Sequence, residues 1–194
     1  MSGGEAQDSN ALLTLKPTCG ILPLYDAGWS SPVARRAHFR RINIVDTKLV
    51  GDIAEQSAVL QALKRGWGVL KPVGDRLSYD MIFDVGGVLV KIQVKSAWFD
   101  EASCNYVADN RRTKTNRRTM VRQAYSAGDF DFALIYLAGI NAFYIMPLDV
   151  FISFGSEIHF VEADKRQRKP RSSEYREAWE LIVAWATCRV TCTG

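Results

Sequence analysis

YDMIFDVGGVLVKIQVK, residues 79–95, decides the fold. Two arms rich in Val, Ile, Phe and Leu flank Gly86-Gly87, and a Gly-Gly pair supplies the positive φ angles that a two-residue hairpin turn needs. The turn sets the register: Val85 opposite Val88, Asp84 opposite Leu89, Ile82 opposite Lys91 and Asp80 opposite Gln93. Directly opposed residues have Cβ atoms roughly 4.5–5.5 Å apart, and residues two apart on a strand share a face. Lys95 therefore joins Asp80 and Gln93, which puts an acid, an amide and an amine in one patch. The two oxygen-bearing groups suit a hard divalent cation. The amine suits the positioning of a water or a phosphate oxygen. Alternating polar residues equally describe the solvated face of a hairpin, but two features favour a site. Asp80 lies in an apolar run, where a carboxylate needs a partner. Upstream, Glu55 on an expected helix offers a third oxygen ligand.

Around this hairpin the chain alternates helical and extended patterns. Residues 47–65 read as a helix with Asp52 or Thr47 as N-cap, an apolar stripe of Ile53, Val59, Leu60 and Leu63, and Gly66 as the stop. Glu55 lies about one turn before Val59, at the edge of that stripe or turned inward to a charge or metal. Residues 67–73, around GWGVLKP (66–72), are a short strand candidate ending at Pro72, and Lys71 and Arg76 flank the approach to Asp80 as phosphate contacts or plain surface charge. Residues 132–137 and 142–147 are expected to be core strands joined by a turn around Gly139. Residues 120–126 read as a short helix, 148–154 as a helical turn or edge, and 157–161 as a strand. A last helix is expected from Ser172 or Ser173, carrying Tyr175, Ala178, Trp179, Ile182 and Trp185.

Positive charge is clustered rather than spread. Net charge is only +4, yet NYVADNRRTKTNRR (105–118) places Arg111, Arg112, Lys114, Arg117 and Arg118 within eight positions. Like charges at that density repel unless an anion neutralises them. Arg and Asn side chains also read guanine and adenine edges. Further basic stretches are ARRAHFRR (34–41) and KRQRKPR (165–171).

The 194 residues, 47% hydrophobic and 24% charged, fit one globular domain with extensions. No apolar run of about 18 residues occurs, so no membrane span is expected. Nor does the N-terminus show a basic-then-apolar leader. Cys19, Cys104, Cys188 and Cys192 lack zinc-site spacing and are expected to be free thiols in a reducing cytosol. Residues 1–46 are broken by Pro17, Gly20, Pro23, Gly28 and Pro32 and are expected to form a flexible extension. Residues 187–194 are expected to be a tail.

Glu55 on a helix, Asp80 at the start of a strand and Gln93-Val94-Lys95 on the next together resemble the PD-(D/E)XK nuclease core. Within it the chain is most similar to the homing endonucleases associated with group I introns. That family carries Gln where most of the superfamily has Asp or Glu before x-Lys. The resemblance spans about residues 48–182 and runs through GDIAEQSAVLQALKRGWGVLKPVGDRLSYD, KSAWFDE, NRRTKTNRR and HFVEADKRQRKPRS. Tyr79 stands where the motif has Pro, a position that varies in the superfamily.

The resemblance implies an α/β fold, an α+β mixed sheet flanked by helices on a restriction-endonuclease-like core, over residues 47–186. It implies a metal-dependent, site-specific endonuclease of double-stranded DNA. Mg²⁺ would be the cofactor, with Mn²⁺ as a substitute. Its ligands would be Asp80, Glu55, Gln93 and the main-chain carbonyl of Val94. Lys95 would position water or stabilise charge on the phosphorane. Lys71, Arg111, Arg112, Lys114, Asn116, Arg117 and Arg118 would contact DNA. A cytoplasmic homo-oligomer, dimer or tetramer, is implied as well. Two alternatives share the core: a structure-specific nuclease resembling Holliday junction resolvases, and a DNA-binding module that has lost catalysis. The intact Glu55, Asp80 and Lys95 argue against the second.

Overall fold

The computed structural model describes residues 46–74, 76–115, 120–162 and 169–192. The expected N-terminal extension, up to residue 45, lies outside them, as do Asn116, Arg117, Arg118 and most of the basic stretch at 165–171.

Helix α1 (Thr47–Lys64) is capped by Asp46 rather than by Asp52 or Thr47. The Asp46 Oδ1 accepts from the N–H groups of Lys48 at 3.0 Å and Leu49 at 3.2 Å, the second and third donors of the helix. Gly66, at φ 73°, takes the chain out of the helix as expected. The buried face differs from the expected stripe. It is Ala54, Ala58 and Ala62, none more than 1% exposed, while Ile53, Leu60 and Leu63 are 44–59% exposed and Val59 is only partly buried. Alanines at i, i+4 and i+8 form one line on a helix, and their small side chains let α1 approach the sheet closely. Apolar size alone pointed to the wrong face.

The hairpin forms in the expected register. Strands β1 (Gly68–Leu70), β2 (Met81–Val85) and β3 (Val88–Ser96) run antiparallel, with Val85 opposite Val88, Asp84 opposite Leu89 and Ile82 opposite Lys91. Gly86 and Gly87 adopt φ 61° and 89° in the turn. Met81, Phe83, Val90 and Ile92 are fully buried. A one-residue slip would carry all four to the opposite face, which is why the register is firmly set.

Beyond β3 the chain makes an excursion before it returns to the same sheet. Strands β4 (Trp98–Asp100) and β5 (Asn105–Asp109) start a second layer, and β6 (Arg111–Thr115) and β7 (Met120–Ala124) form a separate hairpin. Residues 120–124 are thus a strand, not the start of a short helix, because they pair along their length with β6. Strand β8 (Phe132–Leu137) then lies parallel to β3, and β9 (Ala142–Pro147) pairs antiparallel with β8. The main sheet runs β1-β2-β3-β8-β9. After the short helix α2 (Leu148–Ile152), strand β10 (Glu157–Phe160) completes the second sheet, β10-β5-β4.

The last helix, α3 (Glu180–Cys192), begins later than Ser172 or Ser173 and runs through most of the expected tail. Residues 171–175 form a 3₁₀ turn instead. Glu177 breaks helical continuity with φ 51°; its Oε1 accepts from the Phe143 N–H at 2.6 Å and its Oε2 from Trp179 Nε1 at 2.8 Å.

Two apolar layers result. One sheet face packs Phe83, Ile92, Leu134 and Ile145 against the α1 alanines, against Trp179 just before α3, and against Ile182 and Ala186 within it. The other packs Ala133, Ile135, Tyr144 and Met146 against Tyr106, Ala108, Ile158 and Phe160 of the second sheet. Gln93 and Lys95 pair with Ala133 and Ile135 across the parallel ladder, so they stand on that second face. No helix among the described residues is long and apolar enough to cross a membrane.

Candidate active site

Asp80 is the residue just before β2, and its N–H donates to the main-chain oxygen of Ile92 at 2.9 Å. This bond carries the ladder one step past the strand and leaves Asp80 beside Gln93. Gln93 Nε2 donates to Asp80 Oδ2 at 2.5 Å, and the Val94 N–H donates to the same oxygen at 2.7 Å. Gln93 Nε2 also lies 3.1 Å from the main-chain oxygen of Val94. The acid–amide pairing read from the hairpin is therefore present as direct contact.

Burial raises the Asp80 carboxyl to about 6 from an ordinary 3.8; the Val94 N–H opposes the shift, Glu55 adds to it, and Lys95 and Lys71 oppose it. A carboxylate this strongly desolvated invites a cation.

Lys95 points from the same strand face. Its Nζ donates to the main-chain oxygen of Arg111 at 2.9 Å and lies 5.2 Å from the centre of the Tyr125 ring. Burial lowers its pKa from the ordinary lysine value, Asp80 and Asp109 pull it up, and Arg112 lowers it further. The amine is thus within the electrostatic reach of Asp80.

Glu55 projects from α1 and pairs with Lys71, Oε2 to Nζ at 3.1 Å. Both side chains are partly exposed, so the pair adds little stability. Its consequence is placement: Glu55 acts on Asp80 electrostatically while Lys71 neutralises it. Among the described residues no three His, Cys, Asp or Glu side chains gather as a metal cluster. The oxygen donors here are instead the carboxylates of Asp80 and Glu55, the Gln93 amide and the Val94 carbonyl. Asp80 Oδ2 and the Val94 oxygen converge on one small position, now filled by the Gln93 NH₂ group. An all-oxygen set with two carboxylates fits a hard divalent ion.

The basic hairpin borders this site. Arg111 Nε donates to Asp109 Oδ1 at 3.2 Å, and Arg122 Nη1 lies 3.5 Å from Asp109 Oδ2. Arg112 Nη2 donates to the main-chain oxygen of Leu77 at 2.6 Å, in the segment leading to Asp80. Lys114 lies on β6. Arg76 offers its main-chain oxygen to the same Arg112 Nη2, at 3.4 Å. Asp109 and Tyr125 were not singled out by the sequence reading. Asp109 had a signal, a lone acid abutting a basic run, whereas Tyr125 lay in a stretch misread as helix.

The mixed sheet with α1 on one face, and the acid, amide and lysine gathered on β3, define a nuclease core. The chain belongs to the PD-(D/E)XK endonuclease family, whose model matches residues 45–182. It is accordingly an endodeoxyribonuclease, a hydrolase of DNA phosphodiester bonds that depends on a divalent metal. Among solved structures the chain is similar to the bacterial homing endonuclease I-Ssp6803I, at 63% sequence identity and a TM-score of 0.70. The match covers 73% of this chain and 96% of that one. No curated protein matches the chain.

Proposed function

We propose that the protein is a site-specific homing-type endonuclease that hydrolyses double-stranded DNA with Mg²⁺. The observation that carries this reading is the convergence of Asp80 Oδ2, the Gln93 amide and the Val94 main chain beside Lys95. The likeness to a homing endonuclease over nearly all of that protein's length supports the substrate and the specificity.

Asp80, Glu55 and the main-chain oxygen of Val94 would hold the cation, and Gln93 would join them by turning its Oε1 inward. Gln93 is neutral where a carboxylate is usual, so the ligand set carries one negative charge fewer and DNA phosphate completes it. The cation, when bound, polarises the phosphoryl oxygen and acidifies the attacking water. Lys95 holds that water or neutralises charge growing on the phosphorane. Arg111, Arg112 and Lys114 of β6 grip the DNA together with Asn116, Arg117 and Arg118, which follow them in the sequence, and with Lys71 beside Glu55. Cutting both strands takes two active centres, which supports a homo-oligomer, dimer or tetramer, acting on DNA in the cytoplasm.

The test is Mg²⁺-dependent cleavage of a randomised linear DNA library beside a four-way junction. Cutting at one discrete long site supports the homing reading. Cutting of the junction alone would replace it with a resolvase, and metal-independent binding without turnover with a binding module.

A further inference from the structure

The root of the β6–β7 hairpin closes around Lys95. β6 starts at Arg111 and β7 ends at Ala124, and these two residues pair across the hairpin. The Arg111 main-chain oxygen accepts from Lys95 Nζ at 2.9 Å. Tyr125, the next residue after β7, sets its ring 5.2 Å from the same nitrogen. One arm of the hairpin thus supplies a hydrogen bond and the other an aromatic face.

Both supports are anchored. The Tyr125 ring is 7% exposed and is packed against Phe130 at 4.9 Å and Phe151 at 5.9 Å between centroids. On the opposite arm, the main-chain oxygens of Phe151, Phe154 and Gly155 lie 2.8–3.0 Å from Asn110 Nδ2 and share its two N–H donors, and the Asn110 main-chain N–H donates to the Ser156 main-chain oxygen at 3.0 Å. The carbonyl that follows, at Arg111, is therefore fixed. Phe151 contributes to both arms.

An ammonium within about 6 Å of an aromatic centre is attracted by the ring quadrupole, more strongly where water is excluded. A lysine carries its charge on a flexible four-carbon stem, so something must choose its rotamer. Asp80 and Asp109 both attract this amine. We propose that Tyr125 is a positioning residue, whose ring, together with the Arg111 carbonyl, fixes the Lys95 ammonium and ties it to the seating of the basic hairpin. The inference rests on the role proposed above for Lys95. It makes the placement of the lysine depend on a segment expected to meet DNA.

The test uses the full chain with ¹³C-labelled lysine, in wild type, Tyr125→Phe and Tyr125→Leu, with Lys95→Ala to assign the signal. The Lys95 ε-methylene protons should be displaced upfield by the ring in wild type and Tyr125→Phe, and should return to the ordinary lysine position in Tyr125→Leu. Single-turnover cleavage of the DNA site recovered from the linear library should fall about tenfold or more in Tyr125→Leu, with the DNA Kd unchanged and with activity retained in Tyr125→Phe. If Tyr125→Leu does not fold, Tyr125→Met, closer in length, takes its place. An undisplaced wild-type signal, or a ring-free variant that cuts at the wild-type rate, would overturn the proposal. Failure of the wild type to cut any DNA would overturn the endonuclease mechanism instead, and the lysine signal would then decide on Tyr125 alone.

Discussion

The amide nitrogen of Gln93 stands between Asp80 Oδ2 at 2.5 Å and the main-chain oxygen of Val94 at 3.1 Å. These are two of the oxygens proposed to hold the cation. The NH₂ group, with its partial positive charge, satisfies both of them. A neutral amide can serve in both states, donating with its nitrogen when the metal is absent and accepting with its oxygen when it is present. A carboxylate at 93 could serve only in the second.

Gln93→Glu should therefore destabilise the protein without added metal by about 1–3 kcal/mol near neutral pH, because two carboxylates then face each other with no donor between them and only the Val94 N–H left on Asp80 Oδ2. Mg²⁺ should recover most of the loss. Thermal melts with and without the ion measure this: the Mg²⁺-induced rise in Tm should be larger in the variant than in wild type. Equal melting temperatures without metal would show that the Gln93–Asp80 bond contributes nothing.

The Asp80 carboxyl, raised by burial to about 6 from 3.8, gives a stability that depends on pH. In that window the folded protein still holds a proton that the unfolded chain has released, so stability falls as pH rises through it and the full cost is present above it. Asp80→Asn removes the charge. Without metal it should be more stable than wild type at about pH 7.5, on the order of 2 kcal/mol, and no more stable below about pH 4. Denaturant titrations at the two pH values measure the difference. The same proton competes with a cation, so calorimetric metal affinity should weaken as pH falls through the window.

How much of this was legible in the sequence differs by element. The β2–β3 hairpin was fully legible, because Gly86-Gly87 fixes the turn and apolar alternation fixes the register, and so the Asp80–Gln93 contact followed. β8 and β9 were legible as unbroken apolar runs bounded by a turn. The buried face of α1 was not, since close packing selects Ala54, Ala58 and Ala62 and leaves larger side chains outside. β6 and β7 were missed as a pair because their partners are each other and the run is polar, with no apolar period to reveal a strand. The start of α3 was misplaced because Glu177 is held in a left-handed conformation by contacts with Phe143 and Trp179, which are distant or invisible to a local pattern. Tyr125 went unnoticed for the same reason: only the folded hairpin root brings it to Lys95.

The helix face gives a direct contrast. Ala58 is fully buried against the sheet and Leu60 is 51% exposed. Ala58→Leu should cost about 1–3 kcal/mol or more by overpacking. Leu60→Ala should change stability by about 0.5 kcal/mol or less. Denaturant midpoints of the two variants check this, and the reverse order would place α1 on its other face.

The basic hairpin is tested through salt. Replacing Arg111 and Arg112 together by Ala should reduce the slope of log Kd for DNA against log salt by about 1.8 if each contacts one phosphate. Fluorescence anisotropy over a salt series measures it. Because Arg112 also holds the main chain at Leu77, the double variant should lose some cleavage beyond its loss of binding. An unchanged slope would rule out phosphate contact by either residue.

The central claim is that Asp80 and Lys95 form one metal-dependent hydrolytic site, and single-turnover cleavage of saturating DNA tests it most directly. Wild type with Mg²⁺ should cut, and chelation should stop it. Asp80→Ala and Lys95→Ala should each lower the rate by about a hundredfold or more while DNA binding is kept. Cleavage by Asp80→Ala at the wild-type rate under matched occupancy would contradict the account.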